Sequence, residues 1–179
     1  GIDLNIRGPE RIVLAGGNGA GKTTLARLIS GEIQPHGGAI RRGEGRVARL
    51  SQRLDALAPA ASVIACFAAS TPAMGEVERA NLLARWLFRG TAMDRPVAAL
   101  SGGERLRISL ACTLHATPAP QLLVLDEPTN NLDLWAVREL ERALCAYRGA
   151  LVVISHDAAF VEAIAPTRRL ALEDGRLLE

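Results

Sequence analysis

Lys22 is the only lysine in the chain, although Lys and Arg together number 21. It stands at the one position that asks for lysine in Gly16-Gly17-Asn18-Gly19-Ala20-Gly21-Lys22-Thr23. That string fits G-x-x-x-x-G-K-[ST], the phosphate-loop or Walker A pattern. A compact ammonium on a flexible stem reaches between phosphate oxygens in a tight loop, where a planar guanidinium fits less well. The glycines let backbone N–H groups turn inward around an anion. A helix starting there adds the partial positive charge of its N-terminus. The spacing predicts phosphate binding by Gly16, Gly17, Asn18, Gly19, Ala20, Gly21, Lys22, Thr23 and Thr24. Lys22 is expected on the β- and γ-phosphates of a nucleotide, and the Thr23 hydroxyl on Mg²⁺.

Two further strings could do chemistry. Leu122-Leu123-Val124-Leu125-Asp126-Glu127 reads as a buried strand ending in two acids, at the sheet edge where α/β folds bind ligands. Asp126 is suited to hold Mg²⁺, directly or through water, and Glu127 to orient or deprotonate an attacking water. Alone, the pair also fits an ordinary strand-end turn. Leu100-Ser101-Gly102-Gly103-Glu104 carries the S-x-x-E spacing of a capping box, hence a helix start. Its two glycines weaken a helix, but they suit an N-terminus that an anion must approach closely, with the Ser101 hydroxyl as a further donor.

The elements that must position these residues follow from the apolar pattern. Ile12-Val13-Leu14-Ala15 reads as a buried strand feeding the glycine loop, and Thr23 to Ser30 as a helix with Leu25, Leu28 and Ile29 on one face, stopped by Gly31. Ala39 to Arg41 and Arg46 to Leu50 read as strands, and Ile2, Leu4 and Ile6 alternate as in a strand. Helices are expected at Ala60 to Ser70, at Gly75 to Phe88 with Val77, Ala80, Ala84 and Leu87 in register, and after Ser101. Leu122–Leu125 and Leu151–Ile154 look like parallel strands buried on both faces. Between them Leu134, Val137, Leu140, Leu144 and Tyr147 form a helical stripe. Arg169 to Leu172 and Arg176 to Leu178 suggest a closing hairpin around Asp174-Gly175. The alternation predicts an α/β fold with a mainly parallel sheet. One domain is expected over 1–179, with residues 55–118 inserted as a helical subdomain.

Composition narrows the classes. Hydrophobic content of 49% suffices for a core, and a net charge of +2 implies no general affinity for nucleic acid. Arg41, Arg42, Arg46, Arg49 and Arg53 form either a solvated strand face or a contact for a polyanion. Cys66, Cys112 and Cys145 lack metal spacing and read as small apolar core residues of a reducing compartment. No apolar run approaches the ~18 residues of a membrane span, and no signal peptide is visible. The chain opens on Gly1, within the strand-like stretch, so it is expected to be part of a longer one.

Phosphate loop, Gln52, Leu-Ser-Gly-Gly-Glu, Asp126-Glu127 and Ser155-His156-Asp157 occur in that order across nearly the whole chain. The chain thereby resembles the nucleotide-binding domain of the ATP-binding-cassette (ABC) ATPases, a P-loop NTPase fold. The resemblance implies ATP and Mg²⁺ as ligands. It implies Gln52 on Mg²⁺ and water, and His156 on the γ-phosphate, though on sequence alone His156 also fits a surface histidine. It further implies a head-to-tail pair of cassettes, in one parent chain or a homodimer. ATP would lie between one phosphate loop and the partner cassette's Ser101, Gly102, Gly103 and Glu104. Asn131 and Asp133 would then belong to a loop at the pair interface, and Asp133 also reads as a helix N-cap.

Glu127-Pro128-Thr129-Asn130-Asn131-Leu132-Asp133, with Arg105 and Phe160, is similar to the ABC-F proteins, tandem cytoplasmic ATPases that act on the ribosome and tRNA. That group more often has His where Asn131 stands. No aromatic precedes Phe67, so no adenine platform is assigned. The alternative is the ATPase subunit of an ABC membrane transporter, with a membrane transport subunit as partner. A repair-type ATPase would carry a long coiled coil between its halves, and none is visible.

Overall fold

The computed structural model describes residues 1–50, 57–130 and 132–179, so Gln52, Arg53 and Asn131 lie outside the described residues. The chain divides into two compact units. The first comprises Gly1–Ser51, Pro120–Thr129 and Tyr147–Glu179. The second comprises Gln52–Ala119 and Asn130–Ala146.

The first unit is built on a six-stranded sheet of order β2-β3-β4-β1-β5-β6. Its strands are β1 (Arg11–Ala15), β2 (Val47–Leu50), β3 (Leu122–Asp126), β4 (Ala150–Ile154), β5 (Arg168–Glu173) and β6 (Arg176–Leu178). The first five are parallel, and β6 closes antiparallel on β5. Apolar side chains on both faces of β1, β3 and β4 require cover on both sides, as in other parallel sheets. One face packs Ile12, Leu14, Val124, Val152, Ile154, Leu170 and Leu172 against Leu25 and Ala26 of helix α1 (Lys22–Ser30). Because the strands run parallel, the carboxyl ends of β1, β3 and β4 lie along one edge. The loops that leave them carry the glycine string, Glu127 and Ser155-His156-Asp157.

The second unit holds α2 (Val63–Ser70), α3 (Glu76–Arg85), α4 (Gly102–Leu114) and α5 (Leu134–Ala146). Helix α4 packs on α2 and on α5. Phe67, Leu83, Trp86, Phe88, Ile108, Leu110, Leu140 and Leu144 are buried. The Trp86 indole N–H donates to His115 Nε2 at 3.4 Å, and the Phe67 ring meets the His115 ring edge-on at 6.0 Å between centroids. Arg107 lies over the Phe88 ring at 5.6 Å.

Several expectations change. Ala39 to Arg41 is not a strand. The side chain of Arg42 instead donates to the carbonyls of Ile29 and Leu28, at the C-terminal end of α1 where cations are favoured. Among the described residues, no strand pairs with residues 2–6, although Leu4 and Ile6 pack against the sheet core. Helix α3 ends at Arg85, and its expected face is wrong: Val77 is 77% exposed, whereas Leu83 and the following Trp86 and Phe88 are buried. Helix α5 stops at Ala146, and Tyr147 turns its hydroxyl to the Pro120 carbonyl at 2.6 Å. Cys66 and Cys112 are buried, but Cys145 is exposed. Burial pushes the Cys112 thiol up to about 12, which keeps it protonated and inert.

Candidate functional site

The glycine string is shaped by what surrounds β1. Gly16 has φ +144°, and a Cβ there would lie 2.5 Å from the Leu172 carbonyl oxygen of β5. No other residue type fits a loop that grazes the sheet so closely. Gly21, with φ +99°, caps the start of α1. Lys22 is only 9% exposed, and its ammonium donates to the Gly16 carbonyl at 2.7 Å and the Gly17 carbonyl at 2.9 Å. Ammonium and loop carbonyls thus hold the loop wrapped over its own helix start. Among the described residues, no backbone carbonyl accepts from the N–H groups of Lys22, Thr23 or Thr24. These are the orphan donors of a helix N-terminus, available to an anion.

Strands β3 and β4 bring the acids to the same edge. Asp126 is the last residue of β3, and Glu127 follows with φ +50°. That left-handed conformation is costly for a residue with a side chain, by about 1–3 kcal/mol. The Glu127 N–H is fixed by the Ile154 carbonyl at 2.9 Å. The turn aims the Glu127 carboxylate at the loop after β4. One oxygen lies 3.4 Å from His156 Nε2, and the other accepts from the His156 N–H at 3.4 Å. Asp157 keeps that loop in place by capping α6 (Ala158–Ala163) through the Phe160 N–H at 3.1 Å.

Asn18, Gly19, Gly21, Lys22, Thr23, Thr24, Asp126, Glu127, Ile154 and His156 line one open pocket of about 320 Å³. That volume is at the low end for ligand sites, and the lining is mostly polar. It suits a phosphate chain with its cation better than a whole nucleotide. The donor set fits such a group: an ammonium, helix-start N–H groups and two hydroxyls for phosphate oxygens, and a carboxylate for a hard cation. Glycines 17 and 19 leave open space around the loop, with no atom within 4 Å of where a Cβ would stand.

The sequence did not single out Arg49 as part of this edge. Arg49 is not on a solvated face, and its side chain is 8% exposed. Its guanidinium meets Glu32 at 2.6 Å and Asp126 at 3.3 Å. The Arg49 hydrogen bond holds the Glu32 carboxyl below the usual range, against a smaller opposing effect of burial. Strand alternation was the available signal, because Arg49 shares a face with Val47, which packs on the sheet core.

In the second unit, Ser101 caps α4. Its hydroxyl accepts from the Glu104 N–H at 3.2 Å, and the Glu104 carboxylate accepts from the Ser101 N–H at 2.8 Å. Glu104 also pairs with Arg95 at 2.8 Å. The hydrogen bond from the Ser101 backbone, opposed by burial, leads the causes that lower the Glu104 carboxyl. The Glu104 side chain is therefore engaged within its own unit, while Ser101 and Gly102 are exposed. Asp133 caps α5 through the Ala136 N–H at 2.9 Å and accepts from Arg107 at 3.2 Å.

A family model described as ABC transporter matches residues 1–130. The chain is 37% identical over 181 residues to ABC transporter F family member 5 of Arabidopsis thaliana, covering 98% of this chain and 25% of that protein. It is 38% identical over 170 residues to the energy-dependent translational throttle protein EttA of Escherichia coli (strain K12), covering 91% of this chain and 30% of that protein. The chain thus spans between a quarter and a third of the length of these curated relatives. The solved structure of an RNase-L Inhibitor superposes with a TM-score of 0.81 at 26% identity, over 99% of this chain and 36% of that one. The chain belongs to the ATP-binding-cassette (ABC transporter) family, and within it is similar to members of the F subfamily.

Proposed function

We propose that this cassette binds Mg-ATP and hydrolyses it in a pair of cassettes, and that the protein couples this cycle to the ribosome. The observation that carries the reading is the single pocket lined by Lys22, Thr23, Asp126, Glu127 and His156. Lys22 and the α1 N-terminus bind the phosphates. Thr23, Asp126 and Gln52 would hold Mg²⁺, which would supply positive charge to neutralise the phosphates. Glu127 takes a proton from the attacking water, and its strained backbone keeps the carboxylate aimed into the pocket. His156, 3.4 Å from Glu127, hydrogen-bonds the γ-phosphate and holds the carboxylate in place.

The pair completes each site. Ser101, Gly102 and Gly103 of a second cassette close over the γ-phosphate through the exposed start of α4, and Glu104 keeps that cap in shape. Asp133, and with it Asn131, contributes to the surface that meets the partner. The translational role is supported by similarity to a protein named a translational throttle, and by the Asn130-to-Asp133 string. No helix among the described residues is long and apolar enough to cross a membrane.

Steady-state phosphate release over a dilution series tests the pairing. The rate should rise faster than linearly with protein concentration, and Ser101→Arg should abolish it while leaving ATP binding intact. A rate strictly proportional to enzyme, and unaffected by Ser101→Arg, would show a self-contained site. ATP-dependent cosedimentation with ribosomes tests the coupling, whereas retention on a membrane transport subunit would favour the transporter reading.

A further inference from the structure

We propose that Arg49 is a built-in counter-ion for Asp126, a clasp that holds this carboxylate before metal loading and releases it to Mg²⁺. The proposal rests on the reading of Asp126 as a carboxylate of the Mg²⁺ site. Arg49 lies on β2, paired in register with Val124 two residues before Asp126 on the neighbouring strand. Its guanidinium reaches both Glu32, just beyond the C-terminal end of α1, and Asp126 at the pocket edge.

The two contacts are unequal. One terminal nitrogen of Arg49 sits 2.8 and 2.6 Å from the two Glu32 oxygens, while the other is 3.3 Å from Asp126. Charged hydrogen bonds are strongest when short, so Glu32 is the anchor and Asp126 the releasable partner. Among the described residues, the buried Arg49 Nε has no acceptor, so the two carboxylates do not use all of the guanidinium's donors.

The electrostatic consequence has a definite sign. A guanidinium on Asp126 cancels part of the charge that attracts a divalent cation, and repels that cation directly. The same positive charge favours a nucleotide arriving without metal, because it screens Asp126 from the phosphates. Glu32 sets the strength of the clasp. With Glu32 present, the Arg49 charge is shared between two carboxylates; without it, the charge falls on Asp126 alone.

A fluorescent ATP analogue titrated against the protein, across Mg²⁺ concentrations and in excess chelator, tests this. Arg49→Gln should lower the Mg²⁺ concentration for half-maximal binding by about tenfold, as expected for loss of one charged hydrogen bond. It should also weaken binding of the analogue in chelator. Glu32→Gln should shift the Mg²⁺ midpoint the opposite way. Arg49→Lys keeps the charge but cannot span both carboxylates, and should fall between Arg49→Gln and the unmodified protein. A structural role alone would weaken binding with and without Mg²⁺ together, and that result overturns the proposal. An unchanged or raised midpoint in Arg49→Gln, with Mg²⁺-dependent binding intact in the unmodified protein, overturns the clasp but not the site. Failure of the unmodified protein to bind the analogue at any Mg²⁺ concentration overturns both.

Discussion

Lys22→Ala isolates what the one lysine contributes. An ammonium has three donors. Two are occupied by the Gly16 and Gly17 carbonyls at 2.7 and 2.9 Å, which leaves one for a phosphate oxygen. A hydrogen bond to a charged group is worth about 1.5–3 kcal/mol net. Losing one should therefore weaken ATP binding roughly 10- to 150-fold. If the ammonium also trades a carbonyl for a second phosphate oxygen, that exchange replaces one good acceptor with another and adds less than the first contact. Alanine further frees the loop that the ammonium holds over α1, which pushes the loss toward the upper figure. Calorimetric titration with Mg-ATP measures the change directly. Because Lys22 is the only lysine, amine labelling should hit Lys22 and the N-terminal amine alone, and saturating Mg-ATP should protect the former. An affinity within twofold of the unmodified protein, or labelling of Lys22 that ATP leaves unchanged, would refute this use of the loop.

Three further outcomes follow from the geometry. Ser101→Ala removes the side-chain half of the α4 cap and should cost about 1 kcal/mol in denaturant unfolding; an unchanged midpoint would show that the cap is not needed. Trp86→Ala empties a fully buried site and should cost about 3–5 kcal/mol by the same measurement. Burial, with a smaller effect from Arg85, lowers the His115 pKa from 6.5 against the opposing charge of Glu139. The unfolded chain then binds more protons than the folded one below about pH 6.5, so stability should fall as pH drops from 7 through 5. His115→Gln should flatten that part of a melting-temperature profile, and an unaltered slope would assign it to other groups.

The parts legible in the sequence were those with a local cause. Strands β1, β3 and β4 announced themselves as short apolar runs because both of their faces are buried. The phosphate loop was legible because close backbone approach at Gly16 and the left-handed cap at Gly21 admit only glycine. The misread parts have causes distant in the chain. Ala39 to Arg41 resembles a strand, but none of the described strands pairs with it, and Arg42 is drawn to the end of α1 instead. The buried side of α3 is set by Trp86 and Phe88 beyond its last turn, so the helical stripe through Val77 faced the wrong way. Arg49 looked like one more surface arginine. Its counter-ions, Glu32 and Asp126, lie 17 and 77 residues away; the pairing of β2 with β3 brings Asp126 to it, and the end of α1 brings Glu32.

The most direct test of the account is single-turnover hydrolysis of Mg-ATP by the Glu127→Gln variant. The amide keeps the shape and the contact with His156 but cannot accept a proton from water at neutral pH. Loss of a general base costs about 10²–10⁴-fold in rate. A fall of that size is expected, with ATP affinity unchanged and a closed pair accumulating in size-exclusion chromatography with ATP. Hydrolysis at the unmodified rate by Glu127→Gln, in protein that forms pairs, would contradict it.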